Sequence, residues 1–137
     1  MRRLWPLLLL AALLVGCGMP AGARLGQAAH VTVYLPTRLP KGLRYTGGKS
    51  IGKGMVYLRY ATKRRALALF ESPNPIALPP GASQDGKGVW EAVATVGGKT
   101  VRSLLLRRPR AYVEAVATGL SAADLKVIEE SLRAYAP

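Results

Sequence analysis

Cys17 and His30 are the only cysteine and histidine in this chain of 137 residues, and alone they make neither a conventional zinc site nor an intrachain disulfide. No metal and no cofactor is expected. Two triplets, Gly48-Lys49-Ser50 and Gly98-Lys99-Thr100, have the ending of a phosphate-binding loop. That loop needs a glycine five residues before its Gly-Lys pair, where this chain has Leu43 and Val93. Both triplets read instead as glycine turns flanked by lysine. His30 has no acid near it in sequence for a Ser-His-Asp arrangement, and Ser121, the serine with the clearest role, is needed as a helix cap. Glu129 and Glu130 diverge on adjacent positions of the last helix, while Glu71, Glu91 and Glu114 fall on strands. A cross-strand pair of Glu91 with Arg102 is the expected use of such a carboxylate. The chain is therefore expected to bind rather than to catalyse.

The sulfur of Cys17 has a different chemistry open to it. Arg2 and Arg3 precede an apolar run from Leu7 to Val15, which is the layout of a secretory leader. The run is too short to remain as a membrane-spanning helix, which takes about 18 residues or more. Leu14-Val15-Gly16-Cys17 resembles the lipobox of bacterial lipoproteins, and that resemblance implies diacylation of the thiol and cleavage before Cys17. Two acyl chains hold a protein to a bilayer where one does not, at about 0.8 kcal/mol per buried CH₂. The expected organisation is a signal peptide over 1–16, a lipidated cysteine with a flexible Gly/Ala-rich tether over 17–30, and one domain over 31–137. The protein is then exported and anchored, facing the periplasm or the cell exterior. Met19, two residues after the cysteine, is compatible with sorting to an outer membrane.

Charge narrows the partners. Lys and Arg number 20 against 7 Asp and Glu, a formal +13 that becomes +11 once Arg2 and Arg3 leave with the signal. Between residues 38 and 65 there are nine basic side chains and no acid. Arg38, Lys41, Arg44, Arg59, Lys63, Arg64 and Arg65 from this stretch, with Arg107, Arg108 and Arg110 further on, are the candidates for contact with a partner or an anionic surface. For a domain held beside headgroups by lipid, each nearby cation adds about 1 kcal/mol of attraction. An anionic membrane or wall polymer and an envelope protein are the expected partners. Two alternatives remain open: an envelope structural lipoprotein whose basic face only keeps it soluble, and a binder of extracellular DNA that uses Tyr45, Tyr57 and Tyr60 as stacking rings.

Strands must position these groups. Val56, Leu58 and Tyr60 alternate with Tyr57 and Arg59, and Ala66 to Phe70 repeats the pattern beyond the basic turn Lys63-Arg64-Arg65, so the two runs predict a hairpin. Val89 to Val96 and Thr100 to Leu106 predict a second, closed by Gly97-Gly98, and Ala111 to Thr118 predicts a fifth strand. Four prolines between Ser72 and Gly88 predict a loop there. Ser121 and Asp124 form a capping box, with Leu120 and Leu125 as a hydrophobic staple. Leu125, Ile128, Leu132 and Tyr135 then predict the apolar stripe of one C-terminal helix. The fold class is α+β: a four- to five-stranded antiparallel sheet with that helix packed on one face.

The order of these elements, the Leu39-Pro40-Lys41-Gly42 turn after a first strand, and the run Gly119-Leu120-Ser121-Ala122-Ala123-Asp124-Leu125 are similar to the C-terminal domain of the MucB/RseB-type sigma-factor regulators. They also resemble a related bacterial domain found in lipoproteins and anti-sigma chains. The resemblance covers roughly residues 31–134. It implies a non-enzymatic extracytoplasmic module that binds, with a protein as the implied partner; the lipid-sensing domain that precedes this one in those regulators has no counterpart here.

Overall fold

Alternation along adjacent strands puts the same parity on the same face, and the strand registers turn that rule into continuous rows. A computed structural model describes residues 19–137 apart from Lys53 and Asp85. Cys17 and the leader lie outside the described residues. Seven antiparallel strands form the main sheet: β2 (Arg44–Ile51), β3 (Met55–Ala61), β4 (Ala66–Ser72), β5 (Ser83–Gln84), β6 (Val89–Val96), β7 (Lys99–Arg107) and β8 (Tyr112–Thr118). Their spatial order is β2-β3-β4-β8-β7-β6-β5. A separate two-stranded ribbon pairs β1 (Val33–Pro36) with β9 (Leu132–Tyr135), and two helices, α1 (Ala23–Ala29) and α2 (Ala122–Ser131), complete the fold.

The α+β class is as expected, and the sheet is larger than the four or five strands anticipated. β2 escaped the reading because its glycines break the apolar alternation. Gly48 faces α1 so closely that a Cβ there would sit 2.7 Å from Leu25 Cδ1 and 2.5 Å from the Tyr57 carbonyl oxygen. What looked like a glycine turn is a strand hollowed to admit a helix. β5 is two residues long and lies within the proline-rich stretch.

Three rows cross the inner face. Val56, Glu71, Val113, Leu106 and Val89 form the first; Leu58, Leu69, Ala115 and Leu104 the second; Tyr60, Leu67, Ala117 and Arg102 the third. With Leu35, Leu125 and Ile128 from the covering elements these residues make one buried cluster, except that Glu71 and Arg102 stand where apolar residues would continue their rows. The Val96-Gly97-Gly98-Lys99 hairpin closes on two glycines at φ 57° and 78°, the left-handed pair that a twist-compatible two-residue turn demands.

Residues 23–29, expected as part of a flexible tether, form α1 and pack on the core. Ala23 is buried, and Gly26 lies so close to the ribbon that a Cβ would meet Val33 Cγ1 at 2.8 Å. Gly/Ala composition here permits close helix packing rather than freedom. The capping box of α2 is present: Asp124 N donates to Ser121 Oγ at 3.1 Å and Ser121 N donates to Asp124 Oδ2 at 3.0 Å. The helix stops sooner than its apolar stripe suggested. Ser131 is buried and its Oγ donates to the Ile128 carbonyl at 2.9 Å, with the Arg38 carbonyl at 3.2 Å as the alternative acceptor. Thr37 N and Oγ1 both donate to the Ser131 carbonyl, at 3.0 and 2.7 Å. Claimed by β1, the chain turns extended, and Leu132 and Tyr135 belong to β9.

Candidate functional site

The basic turn between β3 and β4 is tightly held. Thr62 N donates to the Arg65 carbonyl at 2.8 Å, and Thr62 Oγ1 accepts from Arg65 N at 3.1 Å and from Arg64 N at 3.3 Å. Arg65 Nη2 donates to the Lys41 carbonyl, which ties this turn to the one entering β2. Arg44 pairs with Ala61 across the β2–β3 ladder. Lys41, Arg44, Lys63, Arg64 and Arg65 are thereby gathered at one end of the sheet from positions up to 24 residues apart.

That end is closed by Gly119, just past β8, at φ 71°. A Cβ there would lie 2.7 Å from the Arg64 carbonyl oxygen and 3.0 Å from Arg65 Cγ, so only glycine lets the turn rest against the end of β8. Arg64 is consequently brought beside the ends of β7 and β8. With Lys99, Thr100, Arg102, Thr118 and Leu120 it lines an open pocket of about 380 Å³, and no carboxylate is among its described lining residues. Asp124, the acid just inside α2, has Oδ2 engaged by the Ser121 N–H.

The other expected contact residues are elsewhere. Arg107 ends β7 at the opposite end of the same strands, and Arg108 and Arg110 lie just beyond it. β7 pairs Val101 with Thr118 at one end and Arg107 with Tyr112 at the other. Six residue steps at about 3.3 Å each put these ends roughly 20 Å apart. Arg107 sits over the Tyr112 ring at 6.0 Å, and Arg110 N donates to Tyr34 Oη at 3.2 Å. Arg110 lines a shallow pocket there with His30, Thr32 and Pro137. Arg59 is exposed on the outer face of β3, and Arg38 follows β1 beside the end of α2. The single basic face inferred from sequence is two basic ends and two separate arginines, Arg38 and Arg59.

Tyrosines do not form a stacking row for bases. Tyr60 is buried and packs edge-on against half-buried Tyr45 at 5.5 Å, while Tyr57 is on the other face against Phe70 at 5.1 Å. Burial raises the phenol pKa of both Tyr45 and Tyr60, and nearby Glu71 adds to the effect on Tyr60. Glu91 stands opposite Leu104, and Arg102 opposite Val93, so Glu91 and Arg102 are diagonal neighbours rather than the direct pair expected. Both line a groove between α2 and the β6–β7 hairpin, together with Lys126 and Glu130, and the groove has no dominant sign of charge.

Sequence reasoning missed Glu71. It is buried, its Oε1 accepts the Tyr34 N–H at 2.6 Å, and its Oε2 has no hydrogen-bond partner among the described residues. Desolvation pushes its pKa up to about 8, partly opposed by the Tyr34 N–H, so the neutral acid is favoured at pH 7. The signal was available as parity, since 67, 69 and 71 share a face. Among the described residues no group of three or more His, Cys, Asp or Glu side chains is placed to hold a metal ion, and no helix is long and apolar enough to cross a membrane. No protein-family model, curated protein or solved structure matches the chain.

Proposed function

We propose that this is an exported lipoprotein, anchored through acylated Cys17, whose domain binds without catalysis and turns its basic end toward an anionic membrane or wall surface. The observation that carries the reading is the gathering of Lys41, Arg44, Lys63, Arg64 and Arg65 on two mutually bonded turns, with Lys99 and Arg102 beside them. Folding has concentrated the charge at one place. A lipid at Cys17 keeps the domain within reach of headgroups, so several weak contacts of about 1 kcal/mol each add up on one surface. The defined start of α1 at Ala23 leaves few residues between that lipid and the body, which supports a close approach.

The test is co-sedimentation of the chain from Gly18 to Pro137 with vesicles of neutral lipid and of neutral lipid mixed with phosphatidylglycerol. Binding to the anionic vesicles is expected, with a steep fall between about 50 and 200 mM salt. Reversing Lys63, Arg64 and Arg65 to glutamate is expected to abolish it, and reversing Arg107, Arg108 and Arg110 to leave most of it. Equal effects of the two reversals would contradict an oriented basic end. Retention on both vesicle types at high salt would contradict a charge-driven contact.

A further inference from the structure

The geometry points to a discrete phosphomonoester-binding site in the pocket formed where the β3–β4 turn meets the ends of β7 and β8. This deepens, and rests on, the reading of the basic end as an anion-contacting surface. Arg64, Lys99 and Arg102 come from two separate stretches of sequence and line one concavity, to which the hydroxyl-bearing Thr100 and Thr118 also belong. Three cationic and two hydroxyl-bearing residues line it, and no carboxylate is among its described lining residues. A phosphomonoester carries about −1.5 to −2 charge and three acceptor oxygens at pH 7, against about −1 for a phosphodiester. It is the common biological anion that best matches such a set, since arginine forks bond paired phosphate oxygens and lysine supplies a point charge.

The pocket is also built, in the sense that its parts are held before any ligand arrives. Thr62 fixes the backbone of Arg64, and Gly119 permits the turn to seat against β8. Arg65, the neighbour of Arg64, is spent on the Lys41 carbonyl and holds the turn in place. Arg102 interrupts an otherwise apolar row, standing half-buried between Ala117 and the exposed Val93. At about 380 Å³ the pocket holds roughly a dozen water volumes, which accommodates a phosphate group and the first atoms of its ester.

The ester can belong to a lipid headgroup or to a soluble metabolite, and one experiment separates them. Inorganic phosphate and glycerol 3-phosphate are titrated into the Gly18–Pro137 chain and followed by backbone amide shifts. Vesicles bearing phosphatidate are compared with vesicles bearing phosphatidylglycerol at matched zeta potential. The expected result is one saturable site with shifts at Arg64, Thr118 and Gly119. Arg64→Gln and Arg102→Gln should each weaken it by about tenfold or more, the cost of one charge-assisted contact, and Arg110→Gln should not. Preference for phosphatidate, lost in Arg64→Gln, assigns the site to a headgroup; saturable binding of glycerol 3-phosphate without that preference assigns it to a soluble ester. Shifts that stay linear up to about 10 mM, with both vesicle types bound alike, would overturn the pocket while leaving the general attraction of the basic end intact. Saturation by phosphate with no vesicle binding at all would do the reverse.

Discussion

Glu71 Oε1 accepts the N–H of Tyr34 at 2.6 Å, joining the sheet to the β1–β9 ribbon through a buried acid. The bond satisfies a backbone donor on β1, the strand of the ribbon that enters the core. Its other oxygen has no hydrogen-bond partner among the described residues, and burying an ionised carboxylate so incompletely bonded is costly, which favours the neutral acid.

Stability should therefore fall as pH rises. Glu71 titrates near 4.5 when unfolded and about 8 when folded, so between these values the native state holds a proton that the unfolded chain releases. Its contribution is fully present below pH 4.5, is lost by about 1.4 kcal/mol per pH unit as pH rises, and is gone above about 8. Urea unfolding at pH 5, 7 and 9 measures this. Glu71→Gln should flatten the dependence and be more stable than the wild type at pH 9; an unchanged slope in the variant would locate the titration elsewhere.

Residues 19–30 should behave as part of the domain. Removing them uncovers the site on Gly48 that Leu25 fills and takes Ala23 out of the core. Starting the chain at Val31 instead of Gly18 should cost at least about 2 kcal/mol, the order of burying one leucine. Equal unfolding midpoints for the two chains would restore the picture of a tether.

Ser121→Ala removes the acceptor for the Asp124 N–H at the start of α2. The loss should be about 0.5–2 kcal/mol, with Ser121→Gly losing less, by the ordinary hierarchy of helix caps. Chemical denaturation of the three proteins gives the order directly.

Much of this architecture was legible because local rules and tertiary demands agreed. The Gly97-Gly98 hairpin, the alternation through β3 and β4 and the Ser121–Asp124 box each signal the element that forms. Where local rules and packing disagreed, the reading failed. Gly48 and Gly26 are small because another element sits on them, a requirement that no local pattern displays. Leu132 and Tyr135 keep a helical spacing from Ile128, yet the hydrogen bonds from Thr37, just past β1, to Ser131 and the pairing of β9 with β1 win. The candidate site was legible as composition and not as place. Arg64 and Arg102 are 38 positions apart, and nothing local says that Gly119 will bring them together.

The proposal that this domain works at an envelope surface depends first on the sulfur of Cys17, and mass spectrometry of the native polypeptide from a membrane fraction tests it most directly. The account predicts an N-terminal peptide that begins at Cys17 and carries a diacylglyceryl group. A free thiol at Cys17, in a polypeptide that still starts at Met1 and is recovered from the soluble fraction, would contradict it.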